Sequence, residues 1–243
     1  MERGRPLCDE LVLSIFVNPS QFGPNEDLGA YPMDIENDLR LAKDAGVTAV
    51  FLPQKEEIYP HDFQTKISLD ALPHHLCGKS RPVHFGGVAT VVTKLFNIVM
   101  PDVAVFGKKD YQQFQIIRQL VSDLDFNIEI LGGEIVRELD GLAMSSRNAY
   151  LTADQRESAL SLSRSIHKAA RAIAGGEKNP GLIQKEITAF IKSYPQTSID
   201  YISFCDPITL EPVTVIDKQI LLALAVKVGK TRLIDNLLID PPL

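Results

Sequence analysis

Short apolar runs alternate with amphipathic helical stretches through the first half of this chain, and that alternation constrains the fold more than any other feature. Residues 11–17 are nearly continuously apolar and rich in β-branched side chains, and Asn18-Pro19 ends them. Such a run predicts a strand buried on both faces, the kind found in parallel sheets. Ile35, Leu39, Ala42 and Ala45 then fall at helical spacing, with Gly46 just past the end. Residues 47–52 predict a second strand closed by Pro53. Val88, Val91, Val92, Leu95, Phe96 and Val99 give the clearest helical face, stopped by Pro101. A strand over 103–106, a helix over 111–124 and a strand over 128–131 follow. Strand and helix in this rhythm predict βαβ units and an α/β fold with a largely parallel sheet.

The pattern changes after about residue 147. Thr152 with Gln155 forms a capping box for a helix running to about residue 174, which Gly175-Gly176 ends. Asn179-Pro180 opens another helix, and strand-like runs follow over 199–204, 220–228 and 232–238. Helices followed by strands predict a small α+β C-terminal domain. The expected division is therefore 1–148 and 149–243.

Composition excludes several classes. With 45% hydrophobic and 23% charged residues in 243, the chain is neither disordered nor fibrous. Its net charge of −6 argues against a general nucleic-acid binder. The apolar run at 221–226 is too short to cross a bilayer. The start, Met-Glu-Arg-Gly-Arg-Pro, carries no apolar segment behind its charges, and Cys8, Cys77 and Cys205 are odd in number without Cys-x-x-Cys spacing. Both features predict a cytoplasmic protein. Five histidines show no zinc-ligand spacing, so the sequence names no metal ligands.

Ligands of open α/β sheets bind beyond the C-terminal strand ends, and three polar clusters stand there. Asn18 and Gln21 follow the first strand. Gly107-Lys108-Lys109-Asp110 follows the third and opens a helix, where free N–H groups and a lysine suit phosphate. Met144-Ser145-Ser146-Arg147 offers two hydroxyls and a guanidinium to phosphate oxygens. Residues 76–118 hold six basic and two acidic side chains, a local +4 within an acidic chain, which concentrates anions. Spacing alone also fits ordinary solvated turns. His84 reads more readily as structural than catalytic. Gln21 and Gln113 are neutral amides, suited to holding an acid whose carboxylate must stay reactive rather than locked in an ion pair.

Taken in order, several segments resemble the pantoate–β-alanine ligase family. They are Ser14-Ile-Phe-Val-Asn-Pro-Ser-Gln-Phe22, Glu26-Asp27 with Tyr31-Pro32, Glu57-Ile-Tyr-Pro60, Arg81-Pro-Val-His-Phe-Gly-Gly-Val88, Lys94-Leu-Phe-Asn97, Phe106-Gly-Lys-Lys-Asp-Tyr-Gln-Gln113, Asp140-Gly-Leu-Ala-Met-Ser-Ser-Arg-Asn148 and Arg232-Leu-Ile-Asp-Asn236. The resemblance implies a Rossmann-like parallel sheet of nucleotidyltransferase type and a homodimer. It implies ATP- and Mg²⁺-dependent joining of pantoate to β-alanine through a pantoyl adenylate, with AMP and pyrophosphate released. It further implies that Gln21 and Gln113, with Asn18, bind pantoate. Gly107, Lys108, Lys109, Asp110, Val136, Met144, Ser145, Ser146 and Arg147 would contact ATP, with Lys109 and the Ser145-Ser146-Arg147 run assisting transfer.

The sequence departs from the family pattern in three places. No His-x-Gly-His occurs in it, and the strand that carries this signature in the family has no counterpart ahead of residue 11. Lys108 stands where glutamate is usual, and Met33 where arginine often follows Tyr-Pro. The first departure predicts loose packing between the strands at 11–17 and 103–106. It also sets a second expectation beside ligation: a homologue that binds nucleotide and pantoate without turnover. A related nucleotidyltransferase with another acceptor is a third reading, and the paired glutamines argue against it.

Overall fold

A computed structural model describes residues 1–24, 26 and 28–242; Asp27, part of the motifs above, lies outside them. The strands are β1 (Val12–Ser14), β2 (Ala49–Phe51), β3 (Val103–Gly107), β4 (Glu129–Gly133), β5 (Thr197–Cys205), β6 (Ile220–Val228) and β7 (Thr231–Ile239). The helices are α1 (Ile35–Asp44), α2 (Lys55–Ile58), α3 (Leu76–Ser80), α4 (His84–Val99), α5 (Tyr111–Asp123), α6 (Ala153–Ala159), α7 (Ser161–Ala174) and α8 (Pro180–Lys192). Contacts divide the chain into two units. The first comprises residues 1–74, 78–108 and 113–133, and the second 75–77, 109–112 and 134–243. The stretch 134–148, assigned by sequence pattern to the first domain, clusters with the second unit.

In the first unit β1 pairs parallel with β2, and β3 with β4, each across a connection that contains a helix. These are the expected βαβ units, but they form two two-stranded sheets rather than one continuous sheet. Among the described residues β1 and β3 each keep one unpaired edge. The expected buried strand over 11–17 is corrected accordingly: only Val12–Ser14 is regular, and none of the three residues is buried. A parallel strand becomes fully buried when it is paired on both edges and covered on both faces, and β1 has a ladder on one edge only. Gly4, itself buried, lies against the side chains of Leu11 and Val105. The core of this unit is built by α4, whose Val88, Val91, Val92 and Phe96 pack with Ile58 and with Ile117 and Leu120 of α5. Helix α4 ends where expected. Met100 turns left-handed at φ 49°, its N–H reaches Phe96 O, and Pro101 cannot continue the helix.

The second unit contains an antiparallel sheet in the order β5-β6-β7. Central β6 is buried at eight of nine positions. It packs in one core with Ile166, Ala169 and Ile173 of α7 and Ile183, Ile187 and Ile191 of α8. The Thr152–Gln155 capping box forms with both reciprocal bonds, and the Asn179 side chain accepts from the amides of Gly181 and Leu182. The single helix expected over 152–174 is two helices that meet at Leu160. Just past the break the Ser163 hydroxyl donates to Leu160 O, a back-bond that competes with the helical ladder and bends helices. Among the described residues no helix is long and apolar enough to cross a membrane.

Candidate active site

The first unit carries the three residues expected at the acid. Asn18 caps a 3₁₀ turn, Pro19–Gln21, set against the start of α4. Its buried side chain is spent on neighbours. Nδ2 donates to Gly87 O at 3.0 Å and to Gln21 Oε1 at 3.3 Å, while Oδ1 accepts from Ser20 Oγ and from Tyr59 OH, each at 2.8 Å. Asn18 thereby fixes the turn that presents Gln21. The turn lies so close to α4 that a Cβ on Gly87 would stand 2.4 Å from Ser20 O, a contact only glycine permits.

Gln21 is held from the other side as well. His84 Nδ1 lies 3.0 Å from Gln21 O. A carbonyl can only accept, so Nδ1 carries the proton and Nε2 is the acceptor facing Arg81 Nη1 at 3.3 Å. Arg81 in turn chelates Glu26. Burial works to raise the Glu26 carboxyl, but the Arg81 hydrogen bonds and charge outweigh it, and the carboxyl stays below its ordinary range. This network gives His84 the structural role expected of it. Gln21 Nε2 and the Gln113 amide make no side-chain hydrogen bond among the described residues, so both amides are available to a ligand.

Gly107 and Lys108 close the strand end of this unit. A Cβ on Gly107 would meet nothing within 4 Å, so the space above it is open.

The second unit carries Lys109, Asp110, Val136, Met144, Ser145, Ser146 and Arg147. The last five ride on a β-hairpin. Met144 N donates to Val136 O, Glu138 N to Leu142 O, and Arg137 bridges antiparallel to Ala143. Val136 and Met144 stand exposed and adjacent across it, an apolar ledge beside the serines. Ser145 caps the following 3₁₀ turn, its hydroxyl accepting from Arg147 N. Asn148 Nδ2 ties the turn back to Ala143 O and to Glu138 Oε1. Arg156 clamps Glu138 at 2.5 Å and Asp140 at 2.8 Å. The Asn148 and Arg156 hydrogen bonds hold the Glu138 carboxyl below its ordinary range, and the Arg156 bond does the same for Asp140. The Lys109 ammonium forms no ion pair among the described residues, and Asp110 is exposed.

The sequence reading missed the bracing residues Tyr59, Arg137, Asn148, Arg156, Asp235 and Asn236. Tyr59, Asn148, Asp235 and Asn236 do lie inside matched segments, the one signal that could have found them. No group of three metal-ligating side chains occurs among the described residues.

A family model described as pantoate-beta-alanine ligase matches residues 1–238. The pantothenate synthetase of Desulforapulum autotrophicum is 60% identical over 241 residues, covering 99% of this chain and 85% of the relative. That of Desulfatibacillum aliphaticivorans is 57% identical, covering 99% and 86%. The crystal structure of pantothenate synthetase from Thermus thermophilus superposes with a TM-score of 0.95 at 40% identity, covering 99% of this chain and 87% of that one. A Francisella tularensis pantoate-beta-alanine ligase structure, complexed with beta-gamma ATP and beta-alanine, gives 0.77 at 33%, covering 98% and 82%. On a family match that spans nearly the whole sequence, at more than half the positions identical to such relatives, this chain belongs to the pantoate–β-alanine ligase family.

Proposed function

We propose that this chain condenses pantoate with β-alanine in two half-reactions, with the division of its polar residues between the two units as the carrying observation. The acid set, Asn18, Gln21 and Gln113, falls within the first unit, and the nucleotide set, Lys109, Asp110, Val136 and Met144 through Arg147, within the second. Gly107 and Lys108 complete the nucleotide set from the first. Gln21 and Gln113 hold pantoate by neutral amides, leaving its carboxylate nucleophilic. The carboxylate oxygen attacks the α-phosphorus of ATP, the bond to the bridging oxygen breaks, and pyrophosphate leaves with its electron pair. Lys109, the Ser145 and Ser146 hydroxyls and Arg147 meet the charge that builds on the phosphate oxygens. Mg²⁺ carried by the nucleotide would neutralise charge on its phosphates. The β-alanine amine then attacks the acyl carbon, AMP leaves, and pantothenate forms. A homodimer, a cytoplasmic location and a chain boundary near 148/149 belong to the same proposal. Sedimentation, fractionation and limited proteolysis test these three.

A second reading, binding without turnover, is favoured by one observation: the His84 ring is committed to Gln21 and Arg81. Incubating the purified chain with ATP, Mg²⁺, pantoate and β-alanine separates the two. Stoichiometric AMP, pyrophosphate and pantothenate support ligation. Saturable ATP binding with no pyrophosphate supports the second reading, and no binding of either ligand overturns both.

A further inference from the structure

The Arg232-Leu-Ile-Asp-Asn236 segment lies on β7, and the proposed chemistry gives it no task. Asp235 and Asn236 are both buried, at 2% and 5% exposure, on a strand that is paired along one edge only among the described residues. Successive side chains of a strand leave on opposite faces, so these neighbours reach different targets. Asp235 takes Arg137 in a two-pronged pair, Oδ2 to Nη1 at 2.8 Å and Oδ1 to Nη2 at 2.9 Å. Arg137 Nη1 also donates to Gly141 O at 3.1 Å, at the turn of the hairpin that carries Val136 and Met144 through Arg147. Asn236 Nδ2 donates to Lys109 O at 2.8 Å. The two anchors are themselves joined, since Asn236 N donates to Asp235 Oδ1 at 2.8 Å.

We propose that Asp235 and Asn236 are the positioning residues of the nucleotide site, one fixing the serine-bearing hairpin through Arg137 and the other fixing the main chain of Lys109. This rests on the reading that Lys109 and the hairpin contact ATP. Every residue in the device lies within the second unit. A lysine whose backbone is pinned and whose ammonium has no ion-pair partner among the described residues loses less freedom on meeting a phosphate. The bidentate guanidinium–carboxylate pair sets the hairpin's angle as well as its distance. A purely stabilising ion pair would need neither the third bond to Gly141 O nor the link to Asn236.

The test measures ATP and pantoate affinity by calorimetry for Asn236→Ala and Asp235→Asn, alone and combined with Lys109→Ala, with melting followed in each. Asn236→Ala is expected to weaken ATP about 5–10-fold, the scale of one lost hydrogen bond, and to move pantoate less than about 2-fold. It should add almost nothing once Lys109 is already alanine, because its effect passes through that residue. Asp235→Asn keeps the shape of the side chain and should act on ATP in both backgrounds, through the hairpin. Equal losses for both ligands, or an undiminished Asn236→Ala effect in the Lys109→Ala background, overturn the inference in favour of plain stability. A weakened Lys109→Ala beside an unaffected Asn236→Ala overturns the inference while the nucleotide reading stands. An unaffected Lys109→Ala removes that reading, and the inference falls with it. Hydrogen exchange of the ligand-free chain gives an arm independent of binding. Residues 109–112 should exchange faster in Asn236→Ala and residues 137–147 in Asp235→Asn, and unchanged exchange in both refutes the bracing.

Discussion

Strand β6 and strands β1 to β3 look alike as sequence and differ as structure. All are short apolar runs rich in branched side chains. Yet β6 is buried at eight of nine positions, while β1, β2 and β3 have no buried position at all. The difference lies in their neighbours. β6 has β5 on one edge and β7 on the other, with α7 and α8 in the same core. β1 and β3 each have one partner, and Val12 and Val105 stand more than a third exposed. Apolar sequence therefore sets what a strand can bury, and topology sets what it does bury. In this molecule the second unit's stability rests on a sheet and its helices, and the first unit's on α4 and α5.

The sharpest way to break this comparison is to remove side chains from both sheets. Leu224→Ala, in the centre of β6, should cost about 3–5 kcal/mol, from lost transfer energy and the cavity left behind. Val105→Ala in β3 should cost about 1 kcal/mol or less, because much of that side chain is already in water. Urea unfolding midpoints report both. Similar losses at the two positions would mean that the first unit's sheets are as well covered as the second's.

The two units also divide the ligands in the proposed function, and that division makes the next prediction. Lys109→Ala, and Ser145→Ala with Ser146→Ala, should weaken ATP binding by about 1–3 kcal/mol, the scale of charge-assisted hydrogen bonds. Gln21→Ala and Gln113→Ala should impair pantoate binding and leave ATP nearly intact. Titration calorimetry with each ligand separately decides this. Equal effects of the glutamine variants on both ligands would dissolve the assignment of one ligand to each set.

Acid should strain the second unit more than the first. The Lys218 hydrogen bond, then the Thr209 and Ile208 amides, bring the Asp206 carboxyl down to about 2, from an ordinary value of 3.8. Glu138 and Asp140 are lowered by Asn148 and Arg156. A carboxylate lowered in the folded state stabilises fully above its unfolded value, and that contribution is lost as pH falls through the folded value. The loss therefore runs from about pH 4.5 down to about pH 2. In the first unit Glu26 is the one carboxylate so lowered among the described residues. Hydrogen exchange resolved along the chain between pH 5 and 2.5 should find protection falling first around 138–148 and 206–218, and Asp206→Asn should flatten the second of these. Uniform loss along the chain would contradict it.

Local rules were legible in the sequence, and long-range partners were not. The Thr152–Gln155 box, the Asn179 cap and the stop at Pro101 are written within four residues of where they act, and all three form. The βαβ rhythm likewise foretold parallel pairing, though not that the strands would form two separate pairs. The exposure of β1 was not legible in its own apolar run, which carries no record of how many edges will be paired; the looseness expected between 11–17 and 103–106 was the one sign of it. Asp235 and Arg137 lie 98 residues apart, and Tyr59 and Asn18 lie 41 apart. Neither pair has a spacing that periodicity could have revealed. The break at Leu160 was hidden for another reason: serines at 161, 163 and 165 do not by themselves break a helix, and the break becomes visible only in the folded chain.

The smallest expected effect contrasts the ion pairs of the two units. Arg137 and Asp235 are enclosed, with 23% and 2% of their side chains exposed, whereas Arg40 and Asp44 on α1 are 63% and 65% exposed. Breaking the enclosed pair leaves a charge without its partner in a dry place, so Arg137→Ala belongs with the large core effects. Breaking the exposed pair should change stability by less than about 0.5 kcal/mol, because water and salt already screen it. The order of the residues weakens it further. The basic side chain precedes the acidic one by four positions, the less favourable arrangement on a helix. Asp44 is the last residue of α1, where the negative end of the helix dipole repels a carboxylate. Asp44→Ala should therefore be neutral or slightly stabilising, and Arg40→Ala slightly destabilising, since Arg40 also donates to Asn37 Oδ1 at 2.7 Å. Thermal melts of both variants at low and high salt check the signs. A loss above about 1 kcal/mol for Asp44→Ala that fades with salt would show that the first unit, lacking a buried sheet, depends on its surface charges.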